Sequence, residues 1–153
     1  MTDPDDITAW LRIDERTTTS GRIAADDVAR LAAIGVRHVI NLAMDDHPEA
    51  LANEAELLAA AGLRYTHIPV PFDAPDDVHY QAFVSAFEVG DDPVHVHCIA
   101  NMRVSAFLYR YHRDALDMAE PEARALMERI WSPDSGDHPT LAPWARFINA
   151  CEG

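Results

Sequence analysis

The chain has 153 residues, 48% of them hydrophobic and 8% aromatic, which is the size and make-up of one globular domain with its own core. Its 26 acidic residues outweigh 12 basic ones, and the formal charge of -14 repels nucleic acid and anionic membranes alike. No apolar run reaches the ~18–20 residues of a membrane-spanning helix, the acidic start MTDPDDITAW lacks a signal peptide's pattern, and Cys98 and Cys151 alone make no disulfide framework. A cytoplasmic, reducing setting is the expectation.

Residues 23–35, IAADDVARLAAIG, place Val28, Leu31 and Ala32 at helical spacing and stop at Gly35. The β-branched VRHVINL (36–42) reads as a strand. PEALANEAELLAAAG (48–62) has Pro48 in its first turn and Gly62 at its close, and so reads as a second helix. LRYTHIPV (63–70) is a second strand, ended by the proline-bounded loop PVPFDAPDD (69–77). DVHYQAFVSAFEVG (77–90) is a helix with Tyr80, Phe83, Val84 and Phe87 on one face, and PVHVH (93–97) is a third strand. From Met102 a further helix carries Val104, Phe107, Leu108 and Tyr111 as one stripe, with Arg110, His112 and Arg113 on the face expected to be solvated. EPEARALMERIW (120–131) and TLAPWARFINA (140–150) are two more helices around the turn-rich SPDSGDHP. Strands alternating with helices predict an α/β fold, a sandwich around a mostly parallel central sheet flanked by helices.

In such sheets, sites lie beyond the carboxyl ends of the strands, and Cys98 lies at such an end. Strand, cysteine, four residues, arginine, helix is an arrangement with a chemical logic. The turn into a helix aims backbone N–H groups at one point, which favours an anion and favours a thiolate over a thiol. Arg103 in the first helical turn adds a planar clamp for an oxyanion. Asn101 is one of the few residue types besides glycine that accept a left-handed backbone. Ser105 is near enough along the turn to reach the sulfur. The plainer alternative is a buried thiol acting as a small hydrophobe. His95 and His97 share one strand face and invite comparison with metal ligands, but no third ligand follows at convincing spacing. His97 reads better as a buried residue that orients the loop. Trp10, Trp131 and Trp144 read as anchors for the terminal segments, and Cys151 as a passive residue unless the last helix folds over Cys98.

These residues resemble the cysteine-dependent phosphatase superfamily, whose signature is His-Cys, a tight loop, then Arg followed by Ser or Thr. More narrowly, TTTSGRIAADDVARLAAIGVRHVINLA (17–43), YTHIPVPFDAP (65–75) and PVHVHC (93–98) resemble a bacterial phosphatase-like domain, the beta-lactamase-hydrolase-like phosphatase domain, related to the dual-specificity phosphatases. The likeness covers about residues 7–115, with 116–153 as a helical extension of one domain. It implies a phosphatase-like three-layer sandwich and a hydrolase that needs neither metal nor organic cofactor. It implies Cys98 as nucleophile, the backbone of Ile99, Ala100, Asn101, Met102 and Arg103 as the phosphate cradle, and Asp73 as general acid. His97 and Ser105 would support the thiolate. The partner implied is a phosphorylated substrate, small molecule or phosphoprotein.

One feature departs from the superfamily pattern. Most members place five residues between Cys and Arg, whereas this chain places four, C-I-A-N-M-R. Without a gap, Asn101 takes the loop glycine's place, Ser105 the Ser/Thr's, and Val104 replaces the arginine. With a gap, Arg103 keeps its role on a tighter loop, the reading preferred here. The short spacing is shared with rhodanese-type sulfurtransferases, which need no general acid, whereas ester hydrolysis does. A non-catalytic oxyanion-binding module is the third reading. Asp76 and Asp77 compete with Asp73 for the acid's role, or cap the helix that begins near Val78.

Overall fold

The computed structural model describes residues 3–134 and 141–149. In chain order the elements are β1 (Leu11–Arg12), β2 (Thr17–Ser20), α1 (Ala25–Ala33), β3 (His38–Asn41), α2 (Glu54–Ala60), β4 (Arg64–His67), α3 (Asp77–Phe87), β5 (Val94–His97), α4 (Met102–Asp114), α5 (Glu120–Met127) and α6 (Ala142–Asn149). The sheet order is β1-β2-β5-β3-β4. All neighbours run parallel except the antiparallel pair β1–β2.

Alternation along the strands builds two cores. Val39 of β3 faces α1 and α2 with Val28, Leu31, Leu58 and Leu63, and Ile7 and Ile23 complete that cluster. Ile40 of β3 and Val94 and Val96 of β5 face the opposite way, among Phe83 and Phe87 of α3, Phe107 of α4, Met127 of α5, and Trp144 and Phe147 of α6. The result is the expected sandwich of helix, mostly parallel sheet, and helix.

Several expectations need correcting. The sequence pattern predicts no strand over 11–20, yet Thr17–Ser20 is a buried strand beside β5. Its Thr and Ser side chains look like loop chemistry, but they are spent on buried hydrogen bonds, as Thr19 Oγ1 is on Leu11 O at 2.8 Å. Helix α2 begins at Glu54 rather than at Pro48. Residues before it form turns, with Ala50 N donating to His47 O, and Asn53 takes a left-handed φ of 62°. Strands β3 and β4 are shorter than their apolar runs, and α5 ends at Met127, four residues short of the expectation. Arg110 and His112 are buried, at 5% and 4% exposure, not solvated. The Arg110 guanidinium lies over the Tyr80 and Phe147 rings, at 4.2 and 4.6 Å, and pairs with Asp77 at 2.9 Å. Cys151 lies outside the described residues.

The parallel β2–β5 pair brings Gly21 against the segment following Cys98. Arg22 N donates to Ile99 O at 2.8 Å, and a Cβ on Gly21 would stand 2.3 Å from that same oxygen. Backbone must move to admit it, so Gly21→Ala is expected to lower unfolding free energy by about 1–3 kcal/mol. Denaturant unfolding measures this, and an unchanged midpoint would show that the two segments part freely.

Candidate active site

Strand β5 lies between β2 and β3, and its last residues are held from both sides. Cys98 N donates to Ser20 O at 3.3 Å and Leu42 N donates to His97 O at 2.9 Å. Cys98 therefore leaves the sheet at a fixed point, fully buried in the cluster that contains Val70, Val96 and Phe107. Ile99 is half-buried, Ala100 exposed, and Asn101 fully buried with the left-handed φ of 63° that the sequence pattern called for. Asn101 Nδ2 donates to Ala9 O at 2.9 Å and Thr19 Oγ1 at 3.0 Å, pinning the loop to β2 and to the N-terminal segment. The first helical bond of α4 runs from Ser105 N to Asn101 O at 3.0 Å. The N–H groups of the first turn thus precede the intrahelical ladder and sit where an anion gains most from them.

Arg103 is 7% exposed, and its Nε donates to Val70 O at 2.8 Å. Its guanidinium lies 5.2 Å from the centre of the Phe72 ring. The arginine thus touches the segment that carries Asp73, which is itself exposed. Of the competing carboxylates, Asp76 caps α3 by accepting from Val78 N at 3.2 Å, and Asp77 holds Arg110. Both have structural partners, and all three aspartates border one surface cleft with Pro143 and Arg146 of α6. The Ser105 hydroxyl donates to Met102 O at 3.1 Å, so in this structure it faces its own helix rather than the sulfur.

Behind the cysteine stand two buried histidines. The Ser20 hydroxyl donates to Gly21 O, so it can only accept from His95 Nε2, and Thr18 Oγ1 then donates to His95 Nδ1, each contact at 2.8 Å. His95 is the neutral imidazole. Burial first, and the neighbouring His97 second, push its pKa well below the ordinary 6.5. His97 Nε2 lies 2.6 Å from Glu54 Oε2, and its Nδ1 lies 3.2 Å from Cys98 O. The ring is thus held from both of its nitrogens, between α2 and the backbone of the cysteine loop. Glu54, 5% exposed, is the residue that sequence reasoning missed. A lone carboxylate in a helical stretch carries no mark of burial, and the only hint was an unexplained histidine before the cysteine. With both histidines so engaged, their ring nitrogens serve protein partners, and no group of three or more metal-binding side chains occurs among the described residues.

The sheet order, the cysteine at a strand end and the arginine in the following helical turn place the chain in the cysteine-dependent phosphatase superfamily. More particularly, it belongs to the family of the phosphatase-like domain of beta-lactamase hydrolase-like proteins, which it matches over residues 11–111. A beta-lactamase hydrolase-like protein of Xylella fastidiosa is 36% identical over 94 residues, which are 60% of this chain and 22% of that relative. The matched segment is therefore about a fifth of the relative's length. A DUF442 protein of Shewanella putrefaciens superposes with TM-score 0.79 at 28% identity, over 95% of this chain and 92% of that one. PTPMT1 in complex with PI(5)P superposes at 0.71 with 17% identity, over 93% and 96%. P. aeruginosa TpbA in complex with pTyr gives 0.68 with 17% identity, over 97% and 93%. The last two share the fold.

Two predictions follow from the histidines. His95 stays neutral when folded and takes a proton below pH 6.5 when unfolded. Its contribution is therefore complete above that pH and lost as the pH falls, by at most about 1.4 kcal/mol per unit. His38 and His112, also held low chiefly by burial, act in the same direction. Unfolding free energy measured at pH 7, 6 and 5 is expected to fall, and His95→Gln to flatten the slope; an unaltered slope would reassign it. Separately, Glu54→Ala leaves His97 Nε2 without its buried partner and is expected to cost about 1–3 kcal/mol by denaturant titration, against less for Glu54→Gln, which keeps a polar group there.

Proposed function

We propose that this chain is a cysteine-dependent phosphatase of the protein tyrosine/dual-specificity type, acting as one domain of 153 residues on a phosphorylated small molecule or phosphoprotein. The observation that carries the reading is the reach of Arg103 from the cysteine loop to Val70 O, three residues before Asp73. It brings the cysteine loop into contact with the segment that carries Asp73. The Cys98 thiolate attacks phosphorus, and the P–O bond to the leaving group breaks as Asp73 delivers its proton to that oxygen. Backbone amides of 99–103 and the Arg103 fork hold the three equatorial oxygens. Asp73 then takes a proton from water as the water oxygen attacks the thiophosphate, releasing phosphate and the thiolate. Ser105 aids that departure by turning its hydroxyl from Met102 O to the sulfur. His97, held by Glu54, orients the cysteine loop from behind through its contact with Cys98 O.

Family membership supports this chemistry over sulfur transfer, which needs no general acid. TpbA with pTyr and PTPMT1 with PI(5)P illustrate phosphate-bearing ligands on the same fold. The charge of -14 disfavours polyanionic substrates and accords with a small or singly phosphorylated one. No helix among the described residues is long and apolar enough to cross a membrane.

The test pairs an aryl phosphate with thiosulfate plus cyanide, comparing wild type with Cys98→Ser and Asp73→Asn. Cys98→Ser is expected to abolish phosphate release while still binding phosphate or vanadate. Asp73→Asn is expected to lower turnover about 10²–10⁴-fold on substrates with basic leaving groups. Cys98-dependent thiocyanate without phosphate release would move the chain to sulfur transfer.

A further inference from the structure

The family match ends at residue 111, yet a residue beyond it touches the proposed acid segment. Pro71 O accepts from Ala74 N at 3.1 Å, closing a four-residue turn with Phe72 and Asp73 at its two corners. A turn with one internal bond does not fix a carboxylate, and surface loops are the least stable parts of a fold. Two buried donors supply what the turn lacks. Arg103 Nε holds Val70 O on one side, and Trp144 Nε1 donates to Phe72 O at 2.5 Å on the other.

Trp144 is fully buried, and its ring is fixed by Phe107 at 6.1 Å, Phe147 at 5.5 Å and Trp131 at 5.9 Å. Phe72 in turn packs on Trp144 at 5.5 Å and on Trp131 at 5.9 Å. The peptide between Phe72 and Asp73 is therefore tethered to α6 through the very carbonyl that precedes the carboxylate residue. We propose that Trp144 is a positioning residue that sets Asp73 for proton delivery, making α6 a working part of the active site; this rests on the reading of Asp73 as the acid. Misplacing a catalytic group by about 1 Å costs on the order of 10²-fold. Trp131 provides an internal contrast, since it packs on the same Phe72 ring while its buried indole nitrogen has no partner among the described residues.

Trp144→Phe keeps an aromatic ring and removes the N–H. The experiment compares wild type, Trp144→Phe, Trp131→Phe and Asp73→Asn on p-nitrophenyl phosphate and on phenyl phosphate, whose leaving phenol is the more basic. Hydrogen–deuterium exchange at residues 71–76 is read alongside. For Trp144→Phe, kcat on phenyl phosphate is expected to fall about tenfold further than on p-nitrophenyl phosphate, with KM little changed, and exchange at 71–76 to rise. Trp131→Phe is expected to affect both substrates alike. In an Asp73→Asn background, Trp144→Phe is expected to add no further substrate dependence. If Asp73→Asn shows leaving-group dependence and Trp144→Phe does not, or if exchange at 71–76 is unchanged, the positioning role is overturned by itself. Indifference of Asp73→Asn to the leaving group overturns the acid assignment and this proposal with it.

Discussion

Two histidines buried side by side on the central strand dictate much of what surrounds them. His95 and His97 leave the apolar face of β5 to Val94 and Val96, and so put four ring nitrogens into a nearly waterless layer. A buried polar atom without a partner costs about 1–3 kcal/mol, so each nitrogen must recruit one. The partners come from far along the chain: Thr18 and Ser20 from β2, Glu54 from the first turn of α2. Trp10 closes the layer by stacking on His95 at 5.2 Å. Register between β2 and β5, the starting point of α2 and the seat of the N-terminal segment are all consequences of that demand. So is the carboxylate buried behind the cysteine, since Glu54 Oε2 meets His97 Nε2 at 2.6 Å.

The fixed end of β5 then transmits outward. With Cys98 held by Ser20 O and Asn101 pinned to Ala9 and Thr19, α4 starts at a set position and angle. Arg103 in its first turn meets Val70 and Phe72, and Phe72 in turn meets Trp144 of α6. The cysteine loop, the segment 70–72 and α6 form one chain of contacts, although they lie far apart in sequence.

Sequence patterning carried most of this frame and failed where polarity was buried. Val–His–Val–His before Cys98 and the arginine after four residues marked the site, and Asn101 foretold its own left-handed turn. Periodicity located α1, α3 and α4 because their apolar faces meet the sheet at regular spacing. It missed β2, since Thr18, Thr19 and Ser20 spend their hydroxyls on buried partners and the run so resembles a loop. It set α2 six residues early, since Pro48 is a fair helix start locally but Glu54 is drawn inward by a histidine 43 residues away. It misplaced Arg110 because a cation sandwiched between Tyr80 and Phe147 has the same one-letter signature as a solvated one. In each case a long-range polar contact overrode the local rule, and such contacts leave no periodic trace.

The short cysteine-to-arginine spacing finds its rationale in the same contacts. Removing one residue from a loop turns the next helical side chain by ~100° and shifts it by ~1.5 Å, enough to misdirect a clamp. Here the Arg103 side chain is not left to find its own direction. Its Nε is spent on Val70 O, and the planar guanidinium is held at Phe72, which fixes the plane in which the two terminal nitrogens lie. Those nitrogens carry four N–H donors arranged as a fork, the geometry that matches two oxygens of a phosphate. The segment 70–72 thus directs the arginine while the arginine steadies that segment, and a shorter loop is tolerated because direction comes from this contact instead of from the loop itself.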